Sequence, residues 1–192
     1  MTAARQPVSS PTESLILVDD EDREIGSCPK AKCHEGAGKL HRAFSVFLFN
    51  PEGQLLLQQR SEQKPLWPLY WANSCCSHPR QGEAVDEAGR RRVREELNLE
   101  CNPWFLYKFQ YHARYEDLGS EHELCHVFAG VVTDEISAHP DEIADWRFIV
   151  PEELTREIAA DPDHFTPWLK LEWERIRVDF LDDILNKVRQ ES

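Results

Sequence analysis

The stretch from Trp71 to Leu99, WANSCCSHPRQGEAVDEAGRRRVREELNL, bears most directly on the fold. Its second half, residues 83–97, has helical spacing and no proline, and Gly89 is its one weak helix former. Its first half sets a thiol, Cys76, two residues from an imidazole, His78, among aromatic and small residues. Working outward, residues 43–49 are β-branched and aromatic, Asn50-Pro51-Glu52-Gly53 is a turn, and residues 54–60 resume an extended pattern. That reads as a hairpin. Leu15-Ile16-Leu17-Val18 and residues 104–113, 123–132 and 146–150 read as further strands, with a loop near residues 117–120. Residues 151–160 and 167–188 read as helices, the first opening on Pro151 with glutamates in its first turn. Residues 25–40 and 61–68 read as loops rich in functional side chains. The expected class is α+β: a mixed β-sheet packed between α-helices. Residues 1–14 are expected as a flexible tail and residues 15–192 as a single domain.

The balance of 22 basic against 35 acidic residues gives a formal net charge of -13. Such a surface repels phosphate backbones, so nucleic acid is not an expected partner. A small phosphorylated ligand stays compatible if basic residues and a divalent cation converge locally. Residues 1–14 are too polar for a signal peptide and no stretch is apolar enough to span a bilayer, so a cytoplasmic protein is expected. Six cysteines in that setting read as free thiols, with Cys28, Cys33, Cys101 and Cys125 as ordinary ones.

Glu121 and Glu123 lie two apart at a strand start, which places both carboxylates on one face. Side by side they repel unless a cation or proton sits between them. With His34, His41 and His78 they offer a five-ligand nitrogen and oxygen site suited to Zn²⁺ or Mn²⁺. The rival is a structural zinc site from Cys28, Cys33, His34 and the Cys75/Cys76 pair, whose spacings do not match paired C-x₂-C clusters.

Taken together, these residues resemble the type 1 isopentenyl-diphosphate isomerases, a branch of the Nudix superfamily. The resemblance is carried by His34, His41 with Arg42-Ala43-Phe44-Ser45, Arg60, Lys64 before Trp67-Pro68, the Trp71 to Pro79 segment, Glu121-His122-Glu123 and Thr166-Pro167-Trp168. The Nudix box, G-x₅-E-x₇-R-E-U-x-E-E-x-G-U, laid on this chain starts at Ser77, passes Glu83 and continues from Arg91 to Leu99. Ser77 and Asn98 replace its glycines, and Arg92 replaces the first glutamate of its R-E core. A guanidinium cannot ligate a cation, which weakens the hydrolase alternative and agrees with the isomerase branch. The resemblance implies a Nudix fold with its core at about residues 39–172 and N- and C-terminal extensions.

It also implies the reaction: the 1,3-allylic shift of isopentenyl diphosphate to dimethylallyl diphosphate through a tertiary carbocation. In that reading Cys76 and Glu123 exchange the two protons, Tyr111 orients the acid or relays a proton, and Trp168 faces the cation. His34, His41, His78, Glu121 and Glu123 hold a Mn²⁺ or Zn²⁺ ion. Glu96, helped by the backbone carbonyl of Cys76, holds a Mg²⁺ that arrives with the diphosphate, and Lys30, Arg60 and Lys64 contact the diphosphate. A Nudix pyrophosphohydrolase and a non-catalytic metal-binding module are the alternatives. The assembly is expected to be a monomer or a homodimer.

Overall fold

A computed structural model of the chain describes residues 8–191, so residues 1–7 of the expected tail lie outside them. The organising element is β3, His41–Phe49, in which every residue but Arg42 is buried. Its side chains alternate between two cores. Phe44, Val46 and Leu48 meet Ala88, Val93 and Leu97 of α2, Val85–Leu97. Phe47 and Phe49 meet Trp168, Leu169, Trp173 and Ile176 of α4, Pro167–Asp179. A strand covered on both faces reads as a continuous apolar run, and this one does. The expected mixed sheet between helices is therefore present.

Around β3, one edge pairs in parallel along its whole length with β8, Gly119–Val131, from His41↔Glu123 to Phe49↔Val131. β8 in turn forms a long antiparallel hairpin with β7, Trp104–Tyr115. β1, Ser14–Val18, joins β3 at Leu17↔His41 and pairs antiparallel with β2, Glu24–Pro29. The short β6, Cys75–Ser77, pairs with β3 antiparallel from Phe44↔Ser77 to Val46↔Cys75. β4, Leu55–Arg60, pairs with β9, Ile143–Ile149, and with β5, Trp71–Ala72. α3, Pro151–Ala160, follows β9.

Three local expectations are corrected. First, residues 25–40 are not all loop: β2 pairs along β1, and Lys30–Cys33 form a one-turn helix, α1. Cross-strand pairing overrides the glycine and proline content that argued for a loop. Second, the hairpin at Asn50 closes its turn, where Asn50 N–H donates to Gln54 O at 3.0 Å and Gly53 takes φ 76°. Yet β3 and β4 pair only at Phe49↔Leu55 and then part. Ser74 fills the fork: its hydroxyl accepts from Leu48 N–H at 2.8 Å and donates to Leu56 O at 2.6 Å. Third, the helix expected over residues 167–188 breaks at Phe180, φ −132°, and continues as α5, Leu181–Glu191. No proline or glycine marks the break. It turns Ile184 and Val188 onto the core, where Phe180 stacks on Tyr107 at 5.3 Å.

Residues 8–13, part of the expected tail, run against α1. Lys30 N–H donates to Glu13 O at 2.8 Å and Ala31 N–H to Pro11 O at 3.0 Å. Among the described residues no helix is long and apolar enough to cross a membrane.

Because Ser74 satisfies one donor and one acceptor that are both buried, Ser74→Ala should leave two orphaned backbone groups. The expected loss is about 2–4 kcal/mol in urea unfolding. A variant as stable as wild type would remove Ser74 as the fork's bridge.

Candidate active site

Four segments deliver one cluster. His41 opens β3 and Glu123 is its register partner on β8. Glu121 precedes Glu123 by one alternation on the same face, and all three are buried. β6 carries the chain past Cys76 to His78, and α1 ends at His34. Gly119 is what lets the last of these come close: a Cβ there would lie 2.5 Å from the His34 carbonyl. One ligand atom from each of His34, His41, His78, Glu121 and Glu123 lies within 4.8 Å of all the others. No cysteine belongs to this group, so the cysteine-rich zinc alternative is not what the fold assembles.

The donor atoms suit a divalent cation. His41 Nδ1–H donates to Lys39 O at 2.7 Å, which turns Nε2 inward. That Nε2 stands 3.1 Å from His78 Nε2 and 3.6 Å from Glu123 Oε1, and His78 Nε2 stands 3.0 Å from the same oxygen. His34 Nε2 and Glu121 Oε2 are 2.9 Å apart and buried, but not aligned as a hydrogen bond. Five ligand atoms crowded together, two of them buried without a hydrogen-bond partner, are what a shared cation resolves. Burial drives His78 well below its ordinary pKa, so its imidazole is neutral and able to ligate. Burial acts to raise Glu123, but the neighbouring His41 imidazole and the Tyr111 hydroxyl outweigh it and leave the carboxyl below its ordinary value. The Tyr111 hydroxyl donates to Glu123 Oε2 at 2.6 Å.

Beside the cluster lies a cavity of about 580 Å³. Cys76, Tyr111, Glu123 and Trp168 all line it, as do Lys30, Arg60 and Lys64. Burial pushes the Cys76 thiol up to about 12, so it carries its proton at neutral pH. Trp168 is fixed by an Nε1–H bond to Asn73 Oδ1 at 3.2 Å and by edge contact with Trp67 at 5.4 Å. Arg60 lies 5.1 Å over the Trp168 ring while donating to Leu66 O and Trp67 O. It thereby braces a loop in which Trp67 and Leu69 take φ 48° and 62°, a left-handed conformation costly for such side chains. Lys64 is paired with Glu142.

Glu96 stands apart from the other expected site residues. It is buried, absent from the cavity lining, and its Oε1 accepts from Arg92 Nη2 at 2.5 Å. A guanidinium at that oxygen opposes a second cation, so in this arrangement Glu96 does not fit a Mg²⁺ site. Arg92 itself was legible as a departure from the box. In the structure it is a buried cavity cation whose Nη2 also lies 3.4 Å from Glu142. At another departure, Asn98 takes φ 56° as the helix cap, a conformation asparagine tolerates better than most residues.

Sequence reasoning also passed over Glu172, one turn beyond Trp168 on α4 and fully buried. Cys125 Sγ lies 3.5 Å from its Oε1, and its Oε2 has no partner. Burial raises it from 4.5 to about 8, so it is held as the neutral acid.

A family model of the NUDIX domain matches residues 39–169. The isopentenyl-diphosphate Delta-isomerase 1 of Photorhabdus laumondii is 41% identical over 90% of this chain and 99% of its own length. The isopentenyl-diphosphate Delta-isomerase of Nocardia farcinica is 44% identical over 80% of this chain and 88% of its own. Among solved structures, DR0079 from Deinococcus radiodurans superimposes with a TM-score of 0.70 at 26% identity, covering 85% of this chain and 98% of that one. The MutT protein from Methanosarcina mazei, at 16% identity and a TM-score of 0.61 over 72% of this chain and 93% of that one, shares the fold.

Two measurements check this site. His41→Ala should lose the tightly held divalent ion, about one per chain, that metal analysis of the wild type should find; full metal content would remove His41 from the ligand set. Because the folded pKa of Glu172 lies above its ordinary value, the stability tied to its neutral form is full below pH 4.5 and is lost as pH rises through about 8. Glu172→Gln should therefore flatten the fall in Tm between about pH 5 and about pH 9, where ionisation costs about 1.4 kcal/mol per pH unit. An unchanged pH profile would show that Glu172 does not titrate this way.

The register of β3 and β8, the cavity beside the histidine and glutamate cluster, and the two similar proteins agree: the chain belongs to the NUDIX family, in its isopentenyl-diphosphate Delta-isomerase branch.

Proposed function

We propose that the cavity isomerises isopentenyl diphosphate to dimethylallyl diphosphate, with Cys76 and Glu123 as its two proton carriers. The observation that supports this most is that Cys76 and the tyrosine-bound Glu123 line one cavity together with the Trp168 indole. The reaction adds a proton to an unactivated alkene and removes another two carbons away. A tertiary carbocation intermediate must be sheltered from water, and an aromatic face attracts it without forming a bond.

Trp168, fixed by Asn73, supplies that face, and the contact is worth roughly 0.5–2 kcal/mol. Glu123 and Cys76 carry the two protons, each from its own side of the substrate: the one that holds a proton gives it to the alkene terminus, and the other, deprotonated, takes the proton removed two carbons away. Tyr111 orients Glu123 through its 2.6 Å hydrogen bond and can pass a proton to it. His34, His41, His78, Glu121 and Glu123 would hold a divalent ion, Mn²⁺ or Zn²⁺, which when bound would neutralise the paired carboxylates and fix Glu123. Lys30, Arg60 and Lys64 are the proposed diphosphate contacts, and the structure adds Arg92 to the same cavity. Mg²⁺ is proposed as the counter-ion that arrives with the diphosphate; Glu96 would first have to leave Arg92 to reach it. A cytoplasmic setting and a monomeric or dimeric state complete the reading.

Turnover of isopentenyl diphosphate, followed as formation of the acid-labile allylic product, tests it. Cys76→Ala and Glu123→Gln should each lower the rate by about 10²–10⁴-fold or more with the fold retained. Wild-type rates in either variant would withdraw that residue's role, and phosphate release in place of isomer would favour a hydrolase.

A further inference from the structure

Part of the cavity wall has no place in the isomerase chemistry. Residues 8–11, ahead of β1, line the cavity. The Val8 carbonyl accepts from Arg92 Nη1 at 2.9 Å, and Ser9 Oγ accepts from Lys30 Nζ at 2.8 Å. The base of this segment is latched to α1 through Pro11 and Glu13, so its tip rests on two cations of the diphosphate pocket.

Arg92 has few donors to spare. Arg92 Nη2 serves Glu96 and approaches Glu142, and Nη1 lies 3.5 Å from Glu95 besides holding Val8. Only Nε is left buried without a partner. A phosphoryl oxygen that engages Arg92 at Nη1 meets the Val8 carbonyl there, and the Ser9 hydroxyl holds one of the donors of the Lys30 ammonium. Both are neutral acceptors, and a phosphate oxygen makes the stronger, charge-assisted bond with either cation. Burial, followed by the charges of Lys64 and Arg92, holds the Lys30 ammonium below its ordinary pKa, so this corner gains from an anion.

We propose that residues 8 and 9 are an internal stand-in for the diphosphate, occupying Arg92 and Lys30 until the substrate displaces them. The inference rests on the diphosphate reading of this cavity. Substrate binding then includes an exchange: the tip swings out on the Pro11 and Glu13 latch and the diphosphate takes its donors. The strap lowers apparent substrate affinity and leaves the chemical step alone.

The test is calorimetric binding of inorganic pyrophosphate with Mg²⁺ to the full chain, to Ser9→Ala and to a chain lacking residues 2–9. Binding should tighten in both altered proteins, in the deletion by about tenfold, the net worth of one charge-assisted hydrogen bond. KM for isopentenyl diphosphate should fall in parallel with kcat retained. In the full chain, pyrophosphate should speed amide exchange of residues 8–10. Ser9→Ala keeps the backbone intact and so guards against a deletion that unsettles the fold. Equal binding by all three proteins, or slower exchange as of a lid closing, overturns the strap and leaves the diphosphate reading standing. Failure of every protein to bind pyrophosphate overturns both.

Discussion

Two buried carboxylates, Glu121 and Glu123, stand side by side on one strand, and the site is arranged around making that tolerable. Three imidazoles surround them, each delivered by a different segment, and all five donors converge within 4.8 Å. Charges taken out of water this way are costly unless neutralised and hydrogen-bonded. The parallel pairing of β3 with β8 fixes His41 opposite Glu123, and the antiparallel pairing of β6 with β3 delivers His78. The same two pairings place Cys76 and Glu123 along one cavity. Sheet register and the make-up of this cavity are thus one constraint, because a slip of one residue in either pairing would turn the groups to the opposite face.

A second layer holds the proposed reactive groups in place. Tyr111 fixes Glu123, Asn73 fixes Trp168, and Arg60 braces the strained loop that packs Trp67 against Trp168. On the cationic side Glu142 pairs with Lys64 and neighbours Arg92, so these two cations share one buried carboxylate. Such preorganisation lets a site stabilise developing charge without rearranging during the reaction.

Much of this was legible in the chain, because the informative residues sit in short contiguous segments. Cys76 and His78 are two apart, Glu121 and Glu123 share a strand face by alternation, and the helix from Val85 to Leu97 follows from its own spacing. What escaped was set by distant partners. Nothing near Asn50 shows that β3 and β4 part after one pair, since the hydroxyl in the fork belongs to Ser74. Phe180 breaks a helix without proline or glycine because a core contact, its stack on Tyr107, outweighs local propensity. Glu172 looks like a surface glutamate in sequence and is fully buried only because α4 packs it against Cys125. Arg92 could be read as a lost metal ligand, but its place in the cavity required the fold.

The central claim is that two separate groups handle the two protons, one from each side of the substrate. The most direct measurement is turnover of isopentenyl diphosphate in deuterium oxide, with the product's methyl groups read by mass spectrometry and NMR. The account predicts solvent-derived deuterium in the methyl formed from the alkene terminus. Product whose new methyl carries only hydrogen retained from the substrate would mean that one group shuttles a single proton, and would contradict it.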